Sequence, residues 1–241
     1  MTTTRAKRRM SRRQEYSSST RKALVKSASD LFAERGYAGT SLDEVVSAAR
    51  VTKGALYHHF AGKLALFQAV FDECEAAAVK RITSDVRRKK DPWDKALTAV
   101  SSFLEVCQQP AYRRIVMQEG PVALGFDRWR ESEERSTYGL VHDMVRRVLR
   151  QYRIEGSLLD TFTRIFYGAM SSAGIAVSEA EDAEAASREV ATVISLMLAG
   201  LRQMAEAGVD LSVPVDDPRK VDAQIADDAQ VADDARIAGD G

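Results

Sequence analysis

Apolar residues recur at helical spacing along nearly the whole chain, and this periodicity limits the possible folds more than any other feature. Alanine, leucine, glutamate, arginine and lysine dominate, whereas the 14 glycines and 5 prolines are few for a sandwich or a barrel. No run of alternating apolar residues stands out, so no strand is predicted. A continuous stripe is formed by Trp93, Ala96, Leu97, Val100, Phe103, Leu104 and Cys107. The sequence therefore predicts an all-α fold.

The sequence gives no indication of export, of a membrane span or of a disulfide framework. The stretch "MTTTRAKRRM" has no apolar segment behind its charges, and the most apolar window, "IFYGAMSSAGIAV", is too short to cross a bilayer. The two cysteines, Cys74 and Cys107, lack metal-type spacing and are interpreted as buried thiols in a reducing compartment. A cytoplasmic protein without membrane partner, metal or cofactor is expected.

Charge divides the chain although the formal net charge is zero. Residues 1–63 hold 13 Lys and Arg against 5 Asp and Glu, and the remainder holds 22 against 30. A basic head on an acidic body indicates a polyanion partner for the head alone. Four parts are predicted, namely a disordered basic arm (1–16), a basic head of short helices (17–64), a helical body (65–208) and a disordered acidic tail (209–241).

Capping signals divide residues 17–64 into short helices. Ser18 or Ser19 is placed to cap the first helix and Gly36 to end it, and Ser41 and Glu44 have the spacing of a capping box for the second. A third helix, "KGALYHHF", follows Thr52 as its cap. Three short helices of which the third is basic predict a helix-turn-helix DNA-binding domain.

The third helix has one face suited to DNA. Lys53 aligns with Tyr57, and Gly54 with His58, whereas Leu56 and Phe60 share the opposite, buried side. Lysine donates to guanine edges or phosphates, tyrosine and histidine donate to phosphate oxygens, and glycine allows a close approach of the backbone. These residues are therefore predicted to bind DNA.

The adjacent histidines His58 and His59 raise the question of metal binding or catalysis. Their side chains diverge by about 100° around the helix, so they cannot readily hold one ion. No carboxylate or hydroxyl has the spacing that would make either a catalytic base, and no catalytic residue is predicted. Two interpretations stay open for His59, which either packs beneath the helix or faces the DNA backbone.

The stretch "LFAERGYAGTSLDEVVSAARVTKGALYHHFAGKLALFQAV" resembles the amino-terminal pattern of the TetR family of bacterial transcriptional regulators. The resemblance covers residues 17–75 and depends on the G-Y-x-x-T-S element, on T-K-G-x-L-Y-x-H-F and on Lys63. It implies phosphate contacts, base approach and backbone binding at Thr40, Ser41, Thr52, Lys53, Gly54, Tyr57, His59 and Lys63. Arg50 stands where the family usually has a turn glycine. In a left-handed conformation it would cost about 1 kcal/mol. Two interpretations stay open, namely that a phosphate contact offsets this cost or that the arginine alters the turn and shifts the third helix.

The body is expected to supply a dimer interface and a ligand pocket. Two apolar stripes lie near the carboxy end, and the family resemblance implies that they pair with their copies in a homodimer through Phe162, Phe166, Val190, Ile194, Met197 and Leu201. The alternative is that both stripes pack only within the monomer. By the family resemblance, the middle helices enclose a hydrophobic effector among Phe71, Phe103, Cys107, Tyr112, Met117, Trp129, Tyr138, His142, Phe166 and Met170.

The leading hypothesis is a homodimeric transcriptional repressor that binds a palindromic operator on double-stranded DNA and is released by a small hydrophobic effector. An activator or a ligand-independent DNA binder is the alternative within the same class. A helical enzyme fused to a DNA-binding head lacks support, since no nucleophile–base set or paired carboxylates occur. RNA or an anionic membrane could also be the partner of the basic arm. The sequence shows neither the aromatic platforms expected for RNA binding nor an amphipathic helix in the arm for membrane binding.

Overall fold

The computed structural model describes residues 2–209, without the side chains of residues 2–15 and 151. Every regular element in this range is helical, which confirms the all-α prediction for the described residues. Two π-helical segments, Arg113–Glu119 and Glu134–Tyr138, and a 3-10 turn, Arg150–Tyr152, join some of the α-helices. The α-helices are α1 Thr2–Arg35, α2 Leu42–Ala49, α3 Lys53–His59, α4 Lys63–Val86, α5 Pro92–Cys107, α6 Pro110–Tyr112, α7 Gly120–Leu124, α8 Phe126–Glu133, α9 Gly139–Leu149, α10 Gly156–Glu179 and α11 Ala183–Glu206.

Helix α1 begins earlier than the sequence predicted. Its backbone is helical from Thr2, whereas residues 1–16 were expected to be a disordered arm and Ser18 or Ser19 to cap the helix. The segment Thr2–Arg35 contains no proline or glycine, and extending a helix that already exists adds one hydrogen bond for each residue fixed. The end of α1 is as predicted, because the amide of Gly36 donates to Phe32 O at 2.9 Å with a φ of 74° at Gly36.

The chain divides into two compact units, and the division does not follow the boundary predicted after residue 64. The first unit contains the residues up to Arg81 together with Glu105–Thr137, and the second contains Ile82–Leu104 together with the residues from Tyr138 onward. Helix α4 crosses residue 64 because no proline or glycine interrupts it before Val86. The acidic tail predicted for residues 209–241 lies, apart from Val209, outside the described residues.

The first unit has an aromatic centre that joins α1 to α4. The ring of Phe32 packs edge-on against Phe67 with centroids 5.2 Å apart, and Tyr37 contacts the same Phe67 ring at 5.1 Å. Helix α1 also packs against α2, α3, α6 and the π-helical segment Arg113–Glu119. The short helices of the DNA-binding head and the π-helical segment therefore share one core with α1.

The second unit is built around Trp93 on α5. A buried cluster surrounds it that consists of Trp93, Val148, Leu149, Ile154 and Leu159, and α10 packs against both α9 and α11. Helix α10 begins at Gly156, and its N-cap Glu155 makes no side-chain capping bond. Ser157, although of a residue type that often caps helices, therefore lies inside the helix. Nowhere in residues 2–209 is a helix both long enough and apolar enough to span a membrane.

Candidate nucleic-acid interface

Both helices of the predicted helix-turn-helix are capped by side chains. Ser41 Oγ accepts from the amide of Glu44 at 3.2 Å, and the Glu44 carboxylate accepts from the amide of Ser41 at 2.8 Å, which completes the predicted capping box of α2. Thr52 Oγ1 accepts from the amide of Ala55 at 3.2 Å and caps α3, also as predicted. These local bonds fix where α2 and α3 begin.

The turn between α2 and α3 passes through a left-handed residue. Arg50 has φ 55° and ψ 41°, and its amide donates to Ser47 O at 3.1 Å. The left-handed position anticipated for the missing glycine is therefore present, and the arginine side chain is exposed. A residue with a Cβ costs about 1 kcal/mol in this conformation.

Helix α3 buries one side and exposes the other. Leu56 is fully buried and Phe60 nearly so, with the Arg21 guanidinium 5.3 Å from the Phe60 ring centroid. On the opposite side Tyr57 is 55% exposed and the Lys53 side chain 57%. The structure thus places Lys53, Gly54 and Tyr57 at the surface, where the sequence predicted contacts with DNA.

Lys53 is paired with an acidic residue that the sequence analysis did not single out. Its Nζ lies 2.6 Å from Asp43 Oδ1 on α2, and this hydrogen bond together with the carboxylate charge raises the pKa of Lys53. Both side chains are exposed. Residues 43 and 53 belong to different helices, so helical spacing could not have revealed the pair.

Gly54 is not needed for the protein's own packing. A Cβ built there would meet, within 4 Å and among the described residues, only Thr52 Oγ1 at 4.0 Å. The backbone at Gly54 is helical and not of the left-handed kind that favours glycine. A requirement for glycine at this exposed position would therefore come from something outside the chain, such as a DNA backbone.

The structure corrects the predicted role of Thr40. Its side chain is buried, and its hydroxyl donates to Gly36 O at 2.9 Å or Leu31 O at 3.2 Å. The hydroxyl proton is thus committed within the protein and is not free to donate to a phosphate. Thr40 ties the loop before α2 to the end of α1.

The two histidines differ in exposure. His58 is exposed, whereas His59 is half-buried, with its ring centroid 5.2 Å from that of His58. Burial, together with the charges of His58 and Arg21, lowers the pKa of His59, so this side chain is neutral near pH 7. As a neutral side chain, His59 can donate a hydrogen bond to DNA but carries no positive charge. Any contact that requires a positive charge must come from neighbouring residues.

Lys63, at the start of α4, is held beside the loop that leads into α2. Its Nζ donates to Ala38 O at 3.4 Å and lies 4.5 Å from the ring centroid of Tyr37. These contacts keep the ammonium close to the loop that holds Ser41. The predicted phosphate contact of Lys63 is compatible with this position and stays a prediction.

The predicted pocket residues divide between the two compact units. Those in the first unit are all buried, namely Phe71, Cys107, Tyr112, Met117 and Trp129. In the second unit Met170 is buried, and the half-buried residues are Phe103, Tyr138, His142 and Phe166. Tyr138 and His142 are one helical turn apart and stack with ring centroids 6.4 Å apart, and His142 Nε2 lies 3.6 Å from Asp160 Oδ1.

A buried carboxyl group in the first unit was missed by the sequence analysis. Glu75 on α4 is fully buried, and its Oε1 accepts from the Tyr112 hydroxyl at 2.6 Å. Burial raises the pKa of Glu75 to about 7, against the lowering effect of the Tyr112 hydrogen bond. The sequence contained a signal for this burial, because Glu75 shares one face of α4 with Phe67 and Phe71.

The predicted dimer residues do not share one surface. Ile194 is buried within the single chain, whereas Phe162 and Leu201 are half-buried and pack on the Trp93 cluster, so a role of these two in the interface stays a prediction. Phe166 and Val190 are half-buried. Met197 is 67% exposed, and Ile165 on α10 and Val193 and Leu196 on α11 are exposed as well. The two apolar stripes of the sequence thus contain both buried and exposed residues.

No group of three His, Cys, Asp or Glu side chains within the described part of the chain is arranged to hold a metal ion. The two cysteines are free, and burial raises the pKa of Cys74 to about 12 and that of Cys107 further. Both thiols are therefore protonated near pH 7.

Comparisons with known proteins agree with this geometry. A family model described as bacterial regulatory proteins of the tetR family matches residues 24–70, and a model of the tetracyclin repressor-like C-terminal domain matches residues 93–201. The transposon Tn10 TetC protein of Escherichia coli is 30% identical over 161 residues, covering 64% of this chain and 78% of its own. The HTH-type transcriptional regulator SrpR of Pseudomonas putida is 26% identical over 152 residues, covering 62% and 70%.

A solved structure has the same fold. The crystal structure of a TetR-family transcriptional regulator from Pectobacterium atrosepticum aligns with a TM-score of 0.67 and 28% identity, covering 78% of this chain and 96% of that one. Two capped helices joined by a left-handed turn, with an exposed polar face, define a helix-turn-helix protein. The chain belongs to the TetR family of bacterial regulatory proteins, and it is a DNA-binding transcriptional regulator.

Proposed function

We propose that the protein is a homodimeric repressor that acts in the cytoplasm, binds a palindromic operator through α3, and is released by a small hydrophobic effector. The exposed face of α3 carries this proposal. Lys53, Gly54 and Tyr57 combine a cation, an unobstructed backbone and a phenol on a helix whose other side is buried. No catalytic role is assigned to any residue.

An exposed apolar face on α10 and α11 supports the dimer. Ile165 is 69% exposed and Leu196 68%, and Val193 and Met197 lie on the same two helices. Contiguous apolar surface on a protein in water marks a site of association. A second copy of the chain is the natural partner, because a two-fold dimer presents two α3 helices and doubles the contacts of a helix only seven residues long.

The carboxy-terminal half supports release by an effector. Its family model describes a tetracyclin repressor-like domain, and the candidate pocket residues are aromatic, aliphatic or sulfur-containing with few polar groups. Burying apolar ligand surface against such side chains yields about 25 cal/mol per Å². An effector that binds the DNA-incompetent arrangement more tightly would release the operator, and operator binding would weaken effector binding by the same factor.

Selection from random double-stranded DNA tests the operator and the dimer together. We expect an inverted repeat that is bound by two chains, with footprints of the two half-sites one helical turn apart or a multiple of it. Genome-wide mapping of bound sites, followed by transcription from the bound promoters, tests repression. A single asymmetric site bound by one chain would overturn the dimer, and transcription that rises when the protein binds would identify an activator instead.

A further inference from the structure

The carboxyl group of Glu75 is only half satisfied. Its Oε1 accepts the Tyr112 hydroxyl at 2.6 Å, but its Oε2 is buried with no hydrogen-bond partner among the residues that the structure describes. A buried acceptor without a donor is costly, and native proteins retain few such groups. The unused oxygen on a fully buried acid therefore calls for a donor from outside the chain.

Aromatic residues occur on the elements that carry and hold this carboxyl group. Phe71 precedes Glu75 by one turn of α4 and is fully buried, and Tyr112 holds the carboxyl from α6. A Cβ built at Gly120 would lie 2.7 Å from Cδ1 of Trp129 and 3.2 Å from Cε2 of Phe71, so both rings pack on the bare backbone there. The first unit thus buries Glu75 together with three aromatic side chains, one of which, Tyr112, bonds to its carboxyl group.

We propose that Glu75, held by Tyr112, is the polar anchor of the effector site, and that the effector is an apolar molecule carrying one protonated amine. This inference rests on the proposed function, because it assigns a ligand class to effector release. The ammonium group would donate to Glu75 Oε2, and the apolar part would lie against Phe71 and Trp129. Tyr112 would keep the carboxyl oriented.

A cation fits this position better than a neutral or an anionic group. An ammonium ion supplies both the missing donor and a charge opposite to that of the carboxylate, and charge-assisted hydrogen bonds are the stronger kind. Faces of Phe, Tyr and Trp rings also attract cations. An anion would be repelled by Glu75 and by the nearby Asp72, whose charge contributes to raising the pKa of Glu75.

Entry of a ligand requires the side chains around the carboxyl to move, and the adjacent backbone suits such a change. Tyr112 directly precedes the π-helical segment Arg113–Glu119, and π-helical segments frequently occur at functional sites. The same segment carries the ion pair of Arg114 with Glu119, 3.0 Å apart, which lies against Gly36 at the end of α1. Displacement of Tyr112 would therefore reach the head that contains α2 and α3.

The test uses calorimetry on the full chain with three probes of one shape, namely 1-naphthylmethylamine, 1-naphthylmethanol and 1-naphthoic acid. We expect the amine to bind at least about tenfold more tightly than the alcohol, and the acid most weakly. Glu75→Gln should remove the preference for the amine. Glu73→Gln, which alters an exposed acid two residues away on the same helix, is the matched control and should retain it.

Proton release gives a second measurement that a purely structural role would not produce. Near pH 6 the Glu75 carboxyl is largely protonated, since its pKa is about 7, and pairing with an ammonium group ionises it. Titrations in buffers of different ionisation enthalpy should show about one proton released per amine bound at pH 6 and almost none at pH 8. If Glu75→Gln does not fold, this measurement on the unaltered chain and on Tyr112→Phe still decides.

Equal binding of amine and alcohol, absence of amine binding, or a preference that survives in Glu75→Gln would overturn the proposal. Operator binding is measured on the same preparations. A chain that binds a two-fold operator but not the amine refutes the anchor alone. Failure to bind any two-fold operator refutes the proposed function whatever the probes show.

Discussion

Lys53 Nζ lies 2.6 Å from Asp43 Oδ1, so a cation expected to contact DNA is paired with a carboxylate of the neighbouring helix in the free protein. Both side chains are exposed, and an exposed pair of this kind contributes little to stability. The pair does fix where the ammonium lies before DNA arrives. It also places a negative charge at the surface that DNA must approach, which weakens binding to any phosphate backbone.

Substitutions at the two ends of this pair should have opposite effects. Lys53→Ala should weaken operator binding roughly 5- to 150-fold and relax the preference at one position in each half-site. Asp43→Asn should strengthen binding to random DNA and reduce the ratio of the affinity for the operator to the affinity for random sequences. Binding-site selection and fluorescence titration measure both. Lys26→Ala breaks a similar exposed pair with Asp30 on α1 and serves as the control. An unchanged preference in Lys53→Ala would remove Lys53 from the base-contacting residues.

Gly54→Ala should leave the fold intact and weaken DNA binding at least tenfold. The added methyl group has open space in the free protein, and alanine favours a helix over glycine by about 1 kcal/mol. Thermal unfolding should therefore show no loss of stability. Gly139→Ala, at another helical glycine with open space, is the control and should bind the operator normally. Normal binding by Gly54→Ala would show that the DNA backbone does not approach this position.

Arg50→Gly separates the cost of the turn from the use of its side chain. Relief of the left-handed conformation gains about 1 kcal/mol, and the entropy of glycine removes about 0.5–1 kcal/mol, so stability should change little. If the guanidinium contacts a phosphate, binding should weaken similarly on all sequences and the salt slope should fall by about one ion. Urea unfolding and salt titrations measure the two effects, with Arg50→Lys as the charge-preserving control. An unaltered salt slope would exclude the contact.

Met197→Glu should dissociate the dimer and leave each protomer folded, because Met197 is exposed in the single chain. Ile194→Glu should instead unfold the second unit, since Ile194 is buried there and an unpaired buried charge is costly. Sedimentation and circular dichroism distinguish the outcomes. Val122→Glu alters an exposed apolar residue of the first unit and should not change assembly. A Met197→Glu protein that remains dimeric would place the interface elsewhere.

Glu75 should make stability depend on pH. Burial raises the pKa of its carboxyl from 4.5 to about 7, so the folded chain binds this proton more tightly than the unfolded chain. The resulting stabilisation is present near pH 4.5 and is lost as the pH rises through 7, by about 3 kcal/mol. Urea unfolding of the unaltered chain and of Glu75→Gln from pH 5 to 8 should show this difference in slope. Parallel curves for the two proteins would contradict the assignment.

Local sequence signals predicted the helix caps of the DNA-binding head well. The burial of side chains in the body could not be predicted, because it depends on how the helices pack in three dimensions. The capping box at Ser41 and the cap at Thr52 depend on residues three apart, so the sequence contains all that forms them. Ile194 and Met197 are both apolar on one helix, and only the packing of α10 and α11 shows which of them faces outward. Glu75 escaped notice because an acid on a helix is usually exposed.

Two other differences have specific physical causes. Thr40 carries a hydroxyl that suits a phosphate equally well, and its bond to Gly36 O depends on the fold of the loop. A π-helical segment arises when one residue is inserted into a helix, which changes the register of the hydrogen bonds without requiring proline or glycine. The segment Arg113–Glu119 therefore has no distinctive composition that the sequence analysis could have used. Sequence patterns of period 3.6 therefore pass over it.

The contact at Gly36 limits how freely the parts of this protein can be exchanged. A Cβ at this position would lie 2.7 Å from Nη2 of Arg114 and would clash with the Glu119 carboxylate, and the positive φ adds strain for any other residue. A head transferred to another body after residue 64 would lose the segment Arg113–Glu119 that covers the end of α1. Chimaeric regulators built from this chain should therefore take the π-helical segment and the head from the same parent protein.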